Sequence, residues 1–232
     1  MKLFRFQAIN KLTLQNLNNQ KNWIADPYEF NDPFEFSLYD KLFIDDYGDS
    51  RPLTQIETIN INKFREEIND YGVVCYSSDY TNKLLWSHYG DQHKGMCLVF
   101  EISKEKMEVI YKVNYQQRLP EINITDDSDT FDDIVKIVTT KSTEWKYENE
   151  YREVFLSKNM LDDYPGELVE IVFGCRTPFE DIKMLTDIAV SKNKEILISK
   201  MVISNSEYNL GNMRIGDNTK IPEVWKENNF KF

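Results

Sequence analysis

Hydrophobic and polar positions alternate from the second residue onward. In Lys2–Phe6 (KLFRF) Leu3 and Arg5 share one face of a predicted strand, with Phe4 and Phe6 on the other. Leu12, Leu14 and Leu17 behind Asn10 predict a short capped helix, and Trp23–Ala25 a second short strand. Asp26–Phe36 carries two Asp-Pro steps, which disfavour helix and predict an ordered, turned loop pinned by Tyr28, Phe30, Phe34 and Phe36. Asp40–Asp49 reads as an exposed loop. Ile56, Ile59, Phe64 and Ile68 have helical spacing, predicting a helical insertion over 52–71 that packs on one side.

Continuous apolar runs at Gly72–Ser77 and Met96–Ile102 predict buried strands, with a helix at Asn82–Tyr89 between them and Val109–Tyr115 pairing beside the second. The acidic stretch Asp126–Asp133 opens a helix reaching about Thr140, its carboxylates suited to the positive helix end. Tyr147–Leu156 and Leu168–Phe173 read as strands, Phe179–Val190 as an amphipathic helix after Thr177-Pro178, and Glu195–Ile203 as a last strand. Without regular βαβ alternation or a glycine-rich phosphate loop, the pattern predicts an α+β fold. We expect a single domain over 1–232, its mixed or split antiparallel sheet flanked by helices.

Charge and cysteine usage narrow the function. The 28 basic and 39 acidic residues give a net charge of −11, which opposes non-specific attraction to nucleic acid or anionic membrane. Cys75, Cys97 and Cys175 are odd in number, far apart and set in apolar stretches, so they read as reduced thiols of a cytoplasmic protein. No run approaches the roughly 18 apolar residues of a membrane span, and MKLFRFQAINK has no signal-like apolar stretch.

Chemistry-bearing residues concentrate in three segments. Leu84–Val99 brings Trp86, His88, Tyr89 and His93 together, a polar-aromatic density that reads as one wall of a site. His88 and His93 are five apart, about 140° around a helix, so they do not form a zinc pair, and no two cysteines are close enough for a zinc site. No metal centre is expected there. A buried, hydrogen-bonded imidazole and a substrate contact are both open for His88. In Trp145–Leu156, a strand would place Glu148, Glu150 and Arg152 on one face at about 7 Å intervals. Two near carboxylates raise one another's pKa while the guanidinium lowers it, a conflict typical of a site, with a structural Glu150–Arg152 pair as the alternative. In Phe30–Glu35 (FNDPFE), Asn31 and Asp32 suit bonds to their own loop backbone and a second role at a cleft.

Together, LFRF, WIADPYEFNDPFEF, CYSSDYTNKLLWSHYGDQHKGMCLVFE, TEWKYENEYREV and EIVFGCRTPFED resemble the bacterial family called domain of unknown function 2971, from about Leu3 to Val202. The opening strand, helix and short strand are also similar to the start of ADP-ribosyltransferase domains, where a first-strand His or Arg holds NAD and a late-strand Glu completes the site. That resemblance implies an NAD-consuming transferase with Glu150, Glu148 and His88 as catalytic residues. Arg5, Asn31, Asp32, Ser77, Trp86, Tyr89 and Arg152 would bind the cofactor, NAD being the substrate. Its acceptor would be a protein, a nucleic acid or water, and its setting a toxin or a phage-defence effector. Two other classes stay open: a Mg²⁺-dependent nuclease or phosphoesterase built on Asp26, Asp32, Glu35, Glu148 and Glu150, and a non-catalytic nucleotide-binding or interaction module.

Overall fold

Asn10 sets the first helix by a reciprocal cap. Its Oδ1 accepts from the Thr13 N–H at 3.0 Å, and Thr13 Oγ1 accepts from the Asn10 N–H at 2.9 Å. The helix stops where Gln20 turns left-handed at φ 54° and its N–H closes on the carbonyls of Asn16 and Leu17. The computed structural model describes residues 1–37, 54–120 and 130–214. The predicted loop Asp40–Asp49, positions 126–129 of the acidic stretch and positions 52–53 of the predicted insertion lie outside them.

In chain order the elements are β1 (Lys2–Gln7), α1 (Lys11–Asn19), β2 (Lys21–Ile24), α2 (Gln55–Ile68), β3 (Gly72–Ser77), α3 (Lys83–His88) and β4 (Met96–Glu101). There follow α4 (Lys104–Met107), β5 (Ile110–Lys112), β6 (Asn114–Gln116), α5 (Thr130–Val138), β7 (Thr140–Ser142) and β8 (Glu150–Phe155). The chain continues through β9 (Met160–Asp163), β10 (Glu167–Phe173), α6 (Phe179–Lys192), β11 (Leu197–Ile203) and β12 (Leu210–Arg214). Short 3-10 turns occupy Pro27–Glu29 and Thr143–Glu148. The architecture is α+β, with mixed strand pairing and flanking helices.

Two compact units form. The first comprises the described residues of Met1–Asn22, Tyr76–Glu108 and Leu161–Phe232, the second those of Trp23–Cys75 and Val109–Met160. In the first, the strand order is β12-β11-β10-β4-β1, with the end of β3 paired through Phe4 and Ser77. β1 and β10 both run antiparallel to β4, Arg5 opposite Leu98 and Val172 opposite Cys97, whereas β10 and β11 are parallel. The core of this unit is Trp86, Cys97, Val99, Val172, Cys175 and Met201, packed with Phe4, Phe6 and Tyr80. Continuous apolar runs produce this pattern because a strand covered on both faces needs apolar side chains on both.

The second unit holds the start of β3 beside β8 and then β5, plus the parallel pair β6 and β7. Phe36, Phe64, Ile68, Tyr71, Val73, Ile134, Ile137 and Val138 form its core. α2 packs on one side, as expected, but through Ile61, Phe64 and Ile68, and Ile59 faces solvent.

Two strand expectations are corrected. Val109–Tyr115 does not pair beside β4: β5 pairs with β8 and β6 with β7, a choice made by partners far away in sequence. Tyr147–Leu156 is a strand only from Glu150. Before it the chain makes a 3-10 turn and reverses at Asn149, whose φ of 46° breaks the alternation. Among the described residues, no helix is long and apolar enough to cross a membrane.

Candidate functional site

The second unit contains a buried charge network. Arg152, with no exposed surface, extends from β8, and each of its five N–H groups has a place. Nε donates to Glu150 Oε1 at 2.8 Å, Nη1 to Glu35 Oε2 at 2.8 Å and to the Val138 carbonyl at 2.6 Å, and Nη2 to Glu35 Oε1 at 2.7 Å and Glu150 Oε2 at 3.2 Å. Arg152 therefore has no donor left to offer a ligand.

Lys141, from β7, is the second cation. Its Nζ lies 2.7 Å from Glu148, 3.3 Å from Glu150 and 3.3 Å from Glu35, and 4.8 Å above the Trp145 ring. Burial would lower the Lys141 pKa, but Glu150, with Glu148 and Glu35, outweighs it and holds the ammonium above its ordinary value. Burial would likewise raise Glu150, but Arg152 and then Lys141 outweigh it and bring the carboxyl down to about 2. The Cys75 thiol beside Glu150 is pushed well above its ordinary value by burial, and then by that carboxylate. Among the described residues, three nearly buried carboxylates thus share two cations, and removing one member leaves a charge without its partner.

The network opens on a cavity of about 210 Å³. Glu35 and Lys141 lie on its wall, with Asp32, Phe34, Arg118 and Ser142, whereas Glu148 and Glu150 stand behind the wall. Glu35 arrives there through the two Asp-Pro turns: Asp26 caps Tyr28, and Asp32 Oδ1 accepts from the Phe34 N–H at 2.9 Å. The backbone role expected in FNDPFE thus falls to Asp32, which is buried, and Asn31 is exposed.

The remaining expected site residues belong to the first unit. Arg5 donates to Asn22 Oδ1, and Asn22 Nδ2 donates to the Tyr76 hydroxyl at 2.9 Å. Ser77 closes a turn with Asp79, its Oγ donating to the Asp79 carbonyl and accepting from the Asp79 N–H, both at 3.1 Å. Trp86 is wholly buried, meets Phe6 edge-on and donates its indole N–H to the Tyr80 carbonyl at 2.7 Å, so its ring is core rather than wall. His88 is exposed at the end of α3, and Tyr89 caps that helix.

Beyond them Asp91, Gln92 and His93 turn left-handed in succession, with φ of 47°, 53° and 70°. The turn is held from β10's far end: the Arg176 N–H donates to the His93 carbonyl at 2.9 Å and Thr177 Oγ1 to the Gly95 carbonyl at 2.8 Å. Burial, then Arg176, lowers the His93 pKa below its ordinary value.

Among the described residues, no group of three His, Cys, Asp or Glu side chains could hold a metal ion. Where Glu35, Glu148 and Glu150 do converge, the Lys141 ammonium already stands among their oxygens, so this donor set does not fit a Mg²⁺ ion.

Residues 85–153 match the model of a family described as Protein of unknown function (DUF2971). The matched stretch takes in Trp86, His88, Tyr89, Lys141, Glu148, Glu150 and Arg152, and stops short of Arg5, Asp32 and Glu35. No curated protein and no solved structure matches the chain.

Sequence reasoning missed Lys141 altogether and placed Glu35 only in a metal set. The signal for Glu35 was a carboxylate flanked by two phenylalanines after Asp-Pro. Lys141, in a short polar strand, carried none.

Proposed function

We propose that the chain is an NAD-consuming enzyme of ADP-ribosyltransferase type, and that the second unit's pocket receives the nicotinamide riboside end of the dinucleotide. The observation that carries this reading is Glu35: a carboxylate on the pocket wall, oriented by two bonds from Arg152 and one ion pair with Lys141. The reaction breaks the bond between ribose C1′ and the pyridinium nitrogen, whose electron pair leaves with nicotinamide. The positive charge then spreads over C1′ and the ring oxygen until an acceptor adds its own electron pair and loses a proton. A carboxylate fixed in advance beside that centre stabilises it without reorganising. Glu35 has that part, while Glu148 and Glu150 are positioning residues that hold Lys141 and Arg152 in register.

The reading rests on the second unit alone. The acidic net charge favours a protein or water acceptor over nucleic acid. The test is chromatography of NAD incubated with the protein, with and without a chelator. Nicotinamide release that the chelator leaves intact supports the proposal. Binding without release makes the chain a nucleotide-binding module, and chelator-sensitive turnover points to metal chemistry.

A further inference from the structure

Phe34 stands out from its neighbours. Asp32, Glu35 and Phe36 are buried, at 5%, 7% and 4% of their surface, whereas Phe34 keeps 65% of its own exposed on the pocket wall. A bond from its N–H to Asp32 and one from the Ser37 N–H to its carbonyl, at 2.9 and 3.1 Å, hold the turn that presents it. A large apolar ring kept out of the core by a firmly bonded turn, beside a charged cavity, offers a free π-face. Among the described residues, the charges behind that face are unequal: Glu35, Glu148 and Glu150 outnumber Lys141 and Arg152, while on the wall Asp32 and Arg118 cancel. An electron-rich ring face and a carboxylate excess both attract a flat cation.

We infer that Phe34 is the stacking face for a cationic aromatic ring, so that the pocket selects a pyridinium over the same ring uncharged. This rests on the proposed function for the identity of the ligand, but glycosyl transfer does not itself require the ring to be selected by charge or by Phe34.

The test titrates the protein and Phe34→Leu, an exposed and fold-neutral change, with 1-methylnicotinamide and with neutral nicotinamide. The wild type should bind the cation about 3- to 30-fold more tightly than the neutral ring, and Phe34→Leu should keep only the smaller part of that preference that the carboxylates supply. Equal affinity for the two rings, no measurable binding of either, or an unchanged preference in Phe34→Leu would overturn the inference. Selective binding without nicotinamide release from NAD would keep it and remove the transferase reading. Release from NAD with no preference for the cation would do the reverse.

Discussion

Arg152 and Glu35 lie 117 positions apart and meet in a two-pronged ion pair, Nη2 to Oε1 at 2.7 Å and Nη1 to Oε2 at 2.8 Å. That contact ties the FNDPFE turn to β8 inside the second unit, and its planar fork is something only arginine supplies. Arg152→Met should leave Glu35 and Glu150 buried without their main partner and cost about 3–5 kcal/mol in denaturant unfolding. Arg152→Lys should recover only part of this. A loss under about 1 kcal/mol for Arg152→Met would show that the pair does not hold the turn.

Glu150 gives the acid limb of stability. Its folded pKa of about 2 lies below the ordinary 4.5, so the unfolded chain takes up the proton first as pH falls. The stabilisation is complete above about pH 4.5 and is lost as pH drops towards 2, on the order of 3 kcal/mol in all. Unfolding curves across that window should steepen for the wild type and flatten for Glu150→Gln. Parallel curves would contradict the assignment.

Trp86 tests the opposite kind of role. A fully buried indole fixed by the Tyr80 carbonyl should cost about 3–5 kcal/mol on Trp86→Ala, from lost packing and a cavity. Ligand binding per folded molecule should not change, and a selective loss of binding with intact stability would restore the residue to a site wall.

Gly174 allows the close approach on which the strained turn depends. A Cβ there would fall 2.1 Å from the His93 carbonyl oxygen, so Gly174→Ala must push the turn away. Hydrogen exchange at the Arg176 amide, which donates to that carbonyl, should quicken in the variant and stay protected in the wild type. Unchanged protection would mean that the approach is easily relaxed.

Local signals were readable where they decide structure alone. The Asn10 cap and the apolar runs of β3, β4 and β10 stand in the structure much as their patterns predict. Reading failed where a distant partner decides, as for β5, whose place depends on β8. At Glu148–Glu150 a left-handed asparagine interrupts an apparent alternation, yet both carboxylates still reach Lys141. Sequence spacing suggested that Glu150 and Arg152 belong together, but could not show that Glu35 and Lys141, rather than Glu150, stand on the pocket wall.

The most direct measurement is nicotinamide release from NAD by the wild type and Glu35→Gln, each in chelator and each divided by the folded fraction in the same tube. Removing a preorganised charge worth about 3–4 kcal/mol should slow turnover about 10²–10³-fold while NAD binding falls far less. Release by the wild type with that loss in Glu35→Gln is the predicted result. Equal turnover per folded molecule, or no release by the wild type, would contradict the account.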